Sequence, residues 1–179
     1  MFNDKFLLTQ AVLRGEKTQT RRIVKDGTPL GNFEETMKYA PYKVGEVVAV
    51  AQCYLDIGSP QFDKFGYDVS GNTNKMFVKA ELMPNRIKIT NVRIERLQDI
   101  SNDDCFREGL KFRYVNMGSG SAATREDHYY EYINGHNDVC DYGTMFAKET
   151  FSILMDRIAG YGTWESNPYV WVYDFELVK

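Results

Sequence analysis

The segment Gly15-Glu-Lys-Thr-Gln-Thr-Arg-Arg22 places an amine, a hydroxyl and guanidinium groups within eight residues. The surrounding stretch is basic, because before Asp26 five cations accompany the single acid Glu16: Arg14, Lys17, Arg21, Arg22 and Lys25. Such a cluster can bind phosphate. If Thr20 and Arg22 lie on one strand, their side chains share a face, and Lys17 at the preceding turn can reach back over them. We therefore expect these three groups to converge.

This combination of residue types is suited to nucleophilic chemistry. Threonine is a poor nucleophile until a base takes its proton, and a lysine can be that base when burial or neighbouring cations lower its pKa. Arg21 and Arg22 are such neighbours of Lys17. The alternative is a solvated basic turn without a catalytic role, which the octapeptide taken alone favours.

Glu108 and Trp164 are two further candidate site residues. Glu108 ends a short predicted helix, where a solvated carboxylate is the ordinary interpretation. Trp164 lies in the polar segment 162–168 and could stack on a nucleobase, with burial in the core as the alternative. We expect no metal ion and no other cofactor, because His128 and His136 lack a ligand motif and the three cysteines form no Cys-x-x-Cys pair.

Three unequal helices are predicted to position these residues. The first covers 6–14, with Thr9 as its candidate N-cap and Gly15 beyond its end. The second begins at Ser101 and ends at Gly109. The third has an apolar stripe at spacings of four, three and four, a candidate cap at Thr144 and an end at Gly160; the stripe consists of Ala147, Phe151, Leu154 and Ile158.

The strands are short and alternate with these helices. Candidate strands cover 16–23, 46–54, 86–97 and 169–177, the last with an aromatic face that is more typical of core than of an RNA-reading surface. In 86–97 the apolar positions change from odd to even, which predicts a bulge near residues 90 and 91. We interpret 24–43 as a surface connection and 111–143 as an insertion and candidate mobile lid. The pattern predicts one α+β domain over 1–179, built on a small β-barrel with flanking helices.

Composition excludes several classes of protein. The 179 residues are 43% hydrophobic and 14% aromatic, which is enough for a packed core and excludes a wholly disordered chain. The formal net charge of −3 argues against binding of nucleic acid by bulk charge. No apolar run has the length of a membrane span and the start has no signal-peptide pattern, so we expect a cytoplasmic protein without a membrane partner.

The spacing G-x-K-x-x-T-x-R, present here as Gly15, Lys17, Thr20 and Arg22, resembles the signature of the ASCH domain, a PUA-like β-barrel family. The later parts follow in the order expected of that family: a strand after Val44-Gly-Glu46, a second strand with a following helix that ends at Glu108-Gly109, and an aromatic last strand. The resemblance covers nearly the whole chain except the segments near 24–43, 58–74 and 111–143.

The resemblance implies a function in the recognition of RNA or of a modified nucleoside. Bacterial N4-acetylcytidine amidohydrolases of this family use a lysine, a threonine and a glutamate, which by motif position are Lys17, Thr20 and Glu108. The expected activity is therefore removal of an acyl group from a modified nucleobase such as N4-acetylcytidine, with Arg21, Arg22 and Trp164 binding the substrate. The alternatives are a non-catalytic RNA-binding module and a ribonuclease. Lys17, Thr20, Arg22 and Glu108 are predicted to line one cleft, with Trp164 as a wall.

Overall fold

The computed structural model describes residues 2–116, 124–133 and 146–178. Six strands belong to the described part of the chain: β1 (Gln19–Ile23), β2 (Val47–Ala49), β3 (Arg86–Arg96), β4 (Lys111–Asn116), β5 (Thr124–Tyr129) and β6 (Tyr169–Val178). Its α-helices are α1 (Leu8–Leu13), α2 (Phe33–Lys38), α3 (Asn102–Arg107), α4 (Ala147–Ala159) and α5 (Thr163–Ser166). Short 3-10 helices lie at Ser70–Asn72, Lys75–Phe77, Ala80–Leu82 and Leu97–Asp99.

Four antiparallel strands form the main sheet in the order β1-β6-β3-β2, which curls into a half-barrel. β6 lies inside this sheet and is buried on both faces. Its odd positions Trp171, Tyr173 and Phe175 belong to a core inside the curl, whereas Val170 and Val172 pack on the other face with residues of α4. The fold is therefore mixed, with helices against a curled sheet, and the aromatic face of β6 is core as predicted.

The register of β3 against β6 shifts between Ile89 and Asn91, which confirms the predicted bulge. Before the shift Ile87 and Ile89 face the core inside the curl, and after it Val92 does. Odd-numbered residues of β3 therefore face inward before the shift and even-numbered residues after it. Arg93 accordingly lies on the outer face of the sheet, where it contacts Asp104 and Asp174. The bulge therefore places charged side chains of β3 on the face that carries the candidate site.

The helices agree with the predictions in most respects. Ser101 caps α3 by accepting a hydrogen bond from the Asp104 backbone N–H at 3.0 Å. α4 begins within three residues of the predicted cap Thr144, which lies outside the described residues. The prediction that Thr9 caps α1 is wrong, because Thr9 lies inside the helix and its buried hydroxyl donates to Asp4 Oδ1 at 2.5 Å.

Segment 111–143, predicted as an insertion and candidate lid, contains a regular hairpin. β4 and β5 pair over six residues each, and the chain continues to Tyr130, which is fully buried in the core beside α4. The described residues of this segment do not line the cavity that holds the candidate site. Positions 117–123 and 134–143 lie outside the described residues, so the interpretation of this segment as an insertion and lid stays a prediction.

Two other predictions need adjustment. The surface connection 24–43 contains the helix α2, which Asn32 caps by accepting from the Glu35 N–H at 3.2 Å. The strand predicted over 46–54 is reduced to β2, three residues at the edge of the sheet. Within the described ranges, no helix is long and apolar enough to cross a membrane.

Candidate active site

The turn before β1 is attached to the end of α3 by its backbone. Thr18 donates its N–H to the Arg107 carbonyl at 2.9 Å, and Lys17 donates its N–H to the Ala11 carbonyl at 3.1 Å. Gly109 permits this approach, because its φ of +100° is unfavourable for other residues and its α-carbon faces Lys17 Cβ, 3.5 Å from where a Cβ would stand. These contacts bring Lys17 and Glu108 together although they are 91 positions apart in the sequence.

Lys17 and Glu108 form a buried ion pair. Lys17 Nζ lies 2.5 Å from Glu108 Oε2 and 2.8 Å from the Glu108 backbone carbonyl. The two side chains are only 2% and 5% exposed. Burial lowers the pKa of Lys17 below its usual range, although the Glu108 carboxylate partly opposes this effect by stabilising the ammonium. The lysine is therefore held in one position with a reduced affinity for its proton.

Arg21 binds the other oxygen of the same carboxylate. Its Nη1 lies 3.0 Å from Glu108 Oε1, and its Nη2 contacts Glu95 at 2.6 Å and Asp104 at 3.0 Å. The Arg21 side chain is 1% exposed. Three carboxylates therefore surround a guanidinium that cannot lose its charge, and this arrangement fixes the orientation of Glu108 toward Lys17.

Further polar contacts support Arg21 from behind. Gln19 is fully buried on β1, two residues before Arg21, and its side-chain oxygen accepts from Arg21 Nη1 at 2.5 Å. Its side-chain nitrogen donates to Asp104 at 3.0 Å and to Asp174 at 2.7 Å. Arg93 from β3 contacts Asp104 at 2.8 Å and Asp174 at 3.3 Å. The network joins α3 and the three strands β1, β3 and β6, so it couples the position of Glu108 to the sheet.

A cavity of about 620 Å³ contains the predicted residues. Its lining includes the four residues predicted to share one cleft, together with Arg21: Lys17, Thr20, Arg22 and Glu108. Thr20 is partly exposed and Arg22 is exposed, whereas Lys17, Arg21 and Glu108 are buried. The remaining lining comes from residues 2–4 and 73–76, Leu8, Ile23, Cys53 and an apolar side of α4 formed by Phe151, Leu154, Met155, Ile158 and Ala159.

Trp164 lies outside this cavity, contrary to its prediction as a wall. It packs on the core beside α4, and its ring makes an edge contact with Phe151 at a centroid distance of 6.2 Å. The backbone N–H of Trp164 donates to Asp156 at 2.9 Å, which fixes α5 against α4. The residue that reaches the cavity is therefore Phe151, with Trp164 behind it. Substrate stacking on Trp164 would need a site elsewhere.

Other candidate centres do not assemble in the described part of the chain. Over 2–116, 124–133 and 146–178, no three His, Cys, Asp or Glu side chains are grouped so that they could hold a metal ion. His128 is buried on β5, with its ring 5.9 Å from that of Phe106. His136 and Cys140 lie outside the described residues.

Sequence reasoning missed the carboxylates that hold Arg21. Asp104 suits the first turn of a helix, yet its side chain contacts both Arg21 and Arg93. Two signals were present: Arg93 and Glu95 alternate on β3 after the bulge, and Asp174 is the sole charged residue in the otherwise uncharged run from Tyr169 to Phe175. An acid in a buried strand needs a partner, so Asp174 could have been assigned to an ion network.

Comparison of the chain with models of known protein families, with curated proteins and with solved structures finds no match. Its activity must therefore be inferred from the motif residues and from the geometry of the cavity.

Proposed function

We propose that the chain is a PUA-like ASCH-domain amidohydrolase that removes an acyl group from a modified nucleobase, with N4-acetylcytidine as the model substrate. The observation that carries the proposal is the buried Lys17–Glu108 pair in the same cavity as Thr20. The curled antiparallel sheet and the spacing of Gly15, Lys17, Thr20 and Arg22 support the family assignment.

In the proposed reaction Thr20 is the nucleophile and Lys17 the base. Lys17 acts as the neutral amine, which forms when the buried ammonium loses its proton to solvent, and Glu108 holds that amine in position while it keeps its contact with Arg21. The Thr20 hydroxyl then attacks the amide carbonyl carbon while its proton passes to the Lys17 amine. The lowered pKa of Lys17, which burial causes, supports this role.

The tetrahedral intermediate collapses when the C–N bond breaks and the departing nucleobase amine takes the proton from Lys17. An acyl-Thr20 ester remains. Water attacks this ester with Lys17 again as base, releasing a carboxylic acid and restoring the threonine. Arg22, on the same face of β1 as Thr20, is positioned to stabilise the oxyanion or to hold the substrate.

Mass spectrometry of purified protein incubated with a panel of acylated nucleosides tests the proposal. We expect loss of the acyl group from at least one member, and at least about a 100-fold lower rate in Thr20→Ala and in Lys17→Met, because nucleophile and base act as one unit. Thr18→Ala is the matched control, since Thr18 lies next to β1 but does not line the cavity. Its rate should equal that of the wild type.

Two results would count against the proposed reaction. Full activity in Thr20→Ala would remove the nucleophile from the mechanism. Silence of the wild type over the whole panel, together with RNA binding that weakens steeply with salt, would favour the RNA-binding alternative, because phosphate contacts respond to salt and a neutral nucleoside hardly does. Cleavage of the RNA in the same incubation would indicate the ribonuclease.

A further inference from the structure

Phe2 places an aromatic ring beside two cations of the cavity. Its centroid lies 5.9 Å from Lys17 Nζ and 6.0 Å from Arg22 Cζ. The ring also contacts Phe175 at a centroid distance of 5.7 Å and packs on the cores of both sheet faces. Because Phe2 is only half-buried and lines the cavity, part of its ring is available to a ligand.

The backbone around Phe2 is fixed by contacts from a distant part of the chain. Lys75 donates to the Phe2 carbonyl, and its ammonium lies 2.7 Å from Asp4 Oδ1. The same ammonium donates to the Thr9 hydroxyl at 3.2 Å, and Thr9 in turn donates to Asp4. Segment 2–4 is thus anchored both to α1 and to the 3-10 helix Lys75–Phe77. The ring is held in place at the cavity.

A fixed, partly open aromatic ring next to the reacting groups suits a planar heteroaromatic ligand. Stacking on an aromatic side chain tolerates any base, because every base has a π face. The second aromatic residue of the lining, Phe151, is only 1% exposed and has Arg21 Cζ 5.8 Å from its ring centroid, so it offers a ligand little ring surface. The other apolar lining of α4, from Leu154, Met155 and Ile158, is not aromatic and offers contact area without a preference for planar ligands. The two kinds of surface differ in what they select, so the ring decides whether planar ligands are preferred.

We propose that Phe2 is the substrate-stacking residue of this cavity, so that the nucleobase lies against its ring with the acylated amine directed toward Thr20 and Lys17. The inference depends on the proposed function for the identity of the ligand. It replaces Trp164, which lies behind Phe151, with a residue that contacts the cavity directly.

Calorimetric binding of cytidine, the reaction product, tests the stacking role separately from catalysis. Phe2→Ala and Phe2→Leu should weaken binding about 5- to 150-fold, the range measured for loss of base–aromatic stacking. Phe2→Tyr should remain within about 2-fold of the wild type, because it keeps the ring. With N4-acetylcytidine as substrate, Phe2→Leu should raise KM and leave kcat within about 3-fold, since the reacting groups are unchanged.

Phe2→Leu keeps an apolar side chain of similar size, so it tests the role of the ring even where Phe2→Ala does not fold. Thermal denaturation of each variant checks the fold. Wild-type affinity for cytidine in Phe2→Leu would overturn the stacking role while leaving the proposed function intact, provided Thr20-dependent hydrolysis persists. Absence of both cytidine binding and hydrolysis in the wild type would overturn the proposed function and the stacking role together.

Discussion

Replacing Glu108 by glutamine changes one atom of a buried carboxylate and reveals the cost of an unpaired Lys17. In the native protein the two carboxylate oxygens accept from Lys17 at 2.5 Å and from Arg21 at 3.0 Å, and all three side chains are at most 5% exposed. The amide introduced by Glu108→Gln keeps one acceptor and turns an N–H₂ toward the other cation. We expect a loss of about 3 kcal/mol in the free energy of unfolding at pH 7, the range for removing one partner of a buried ion pair.

The loss should shrink as the pH rises. Without the carboxylate, the folded-state pKa of Lys17 falls further below its unfolded value, so the unfolded state binds more protons. The free energy of unfolding of Glu108→Gln therefore increases with pH between the folded-state and the unfolded-state pKa of Lys17. Once the pH exceeds the Lys17 pKa of the folded wild type, the difference between wild type and Glu108→Gln no longer contains the Lys17 contribution. Only the weakened contact with Arg21 remains.

Urea unfolding at pH 7 and pH 9.5, followed by circular dichroism, measures both effects. Glu95→Gln is the matched control, because Glu95 contacts Arg21 and Arg93, which keep their charge over this pH range. Its cost should be independent of pH. In a double-mutant cycle, Lys17→Met should recover about 2 kcal/mol of the loss caused by Glu108→Gln. Additive single variants, or a Glu108→Gln cost that is the same at both pH values, would refute the buried-pair reasoning.

Three further predictions concern the rate, the acid limb of stability and the turn at the site. The kcat/KM of deacylation should rise with pH to a plateau that begins below the usual lysine range, because burial lowers the pKa of Lys17; a profile without this rise excludes Lys17 as the base. Asp174→Asn should lower the free energy of unfolding by about 2 kcal/mol at pH 7 and by less at pH 3 in thermal unfolding. Burial raises the pKa of Asp174, but hydrogen bonds and nearby arginines outweigh burial and lower it. The carboxylate therefore contributes its full stabilisation above about pH 4, and this stabilisation is lost as the pH falls further. Equal costs at the two pH values would contradict this sign. Gly109→Ala should lower the free energy of urea unfolding by about 1–3 kcal/mol, because the φ of +100° at this position strains any residue with a Cβ. Gly15→Ala, at a φ of +75°, should lower it by a similar amount but leave KM unchanged. Native stability of Gly109→Ala would contradict the expected backbone strain.

The sequence predicted local features better than long-range ones. The parity change in β3 located its bulge, and capping residues located α3, because both signals depend on neighbours along the chain. The shared cleft followed from the motif and the resemblance. The prediction for Trp164 was wrong because its sequence surroundings are polar while its ring is directed toward the core, and single-residue polarity does not report direction.

The Arg21 network was harder to foresee for a different reason. Its members come from β1, β3, α3 and β6, so their meeting depends on the strand order of the sheet, which the local pattern does not contain. Phe2 was likewise missed, because its place beside Lys17 depends on Lys75, 73 positions away in the sequence. Both cases show contacts that become visible only when distant segments are packed together.

The bulge in β3 also determines how the gene can change in length at this point. Thr90 is exposed and is the residue that the register skips, so its deletion would leave Ile89 and Asn91 adjacent and still opposite Phe175 and Asp174. Strict alternation would be restored with Val92 on the inner side of the curl and Arg93 and Glu95 on the outer side, where they lie now. Loss of the Thr90 codon should therefore remove the local bend and keep the partners of Arg21. Loss of the Lys88 codon, by contrast, would make Ile87 and Ile89 neighbours, which could not both face the core.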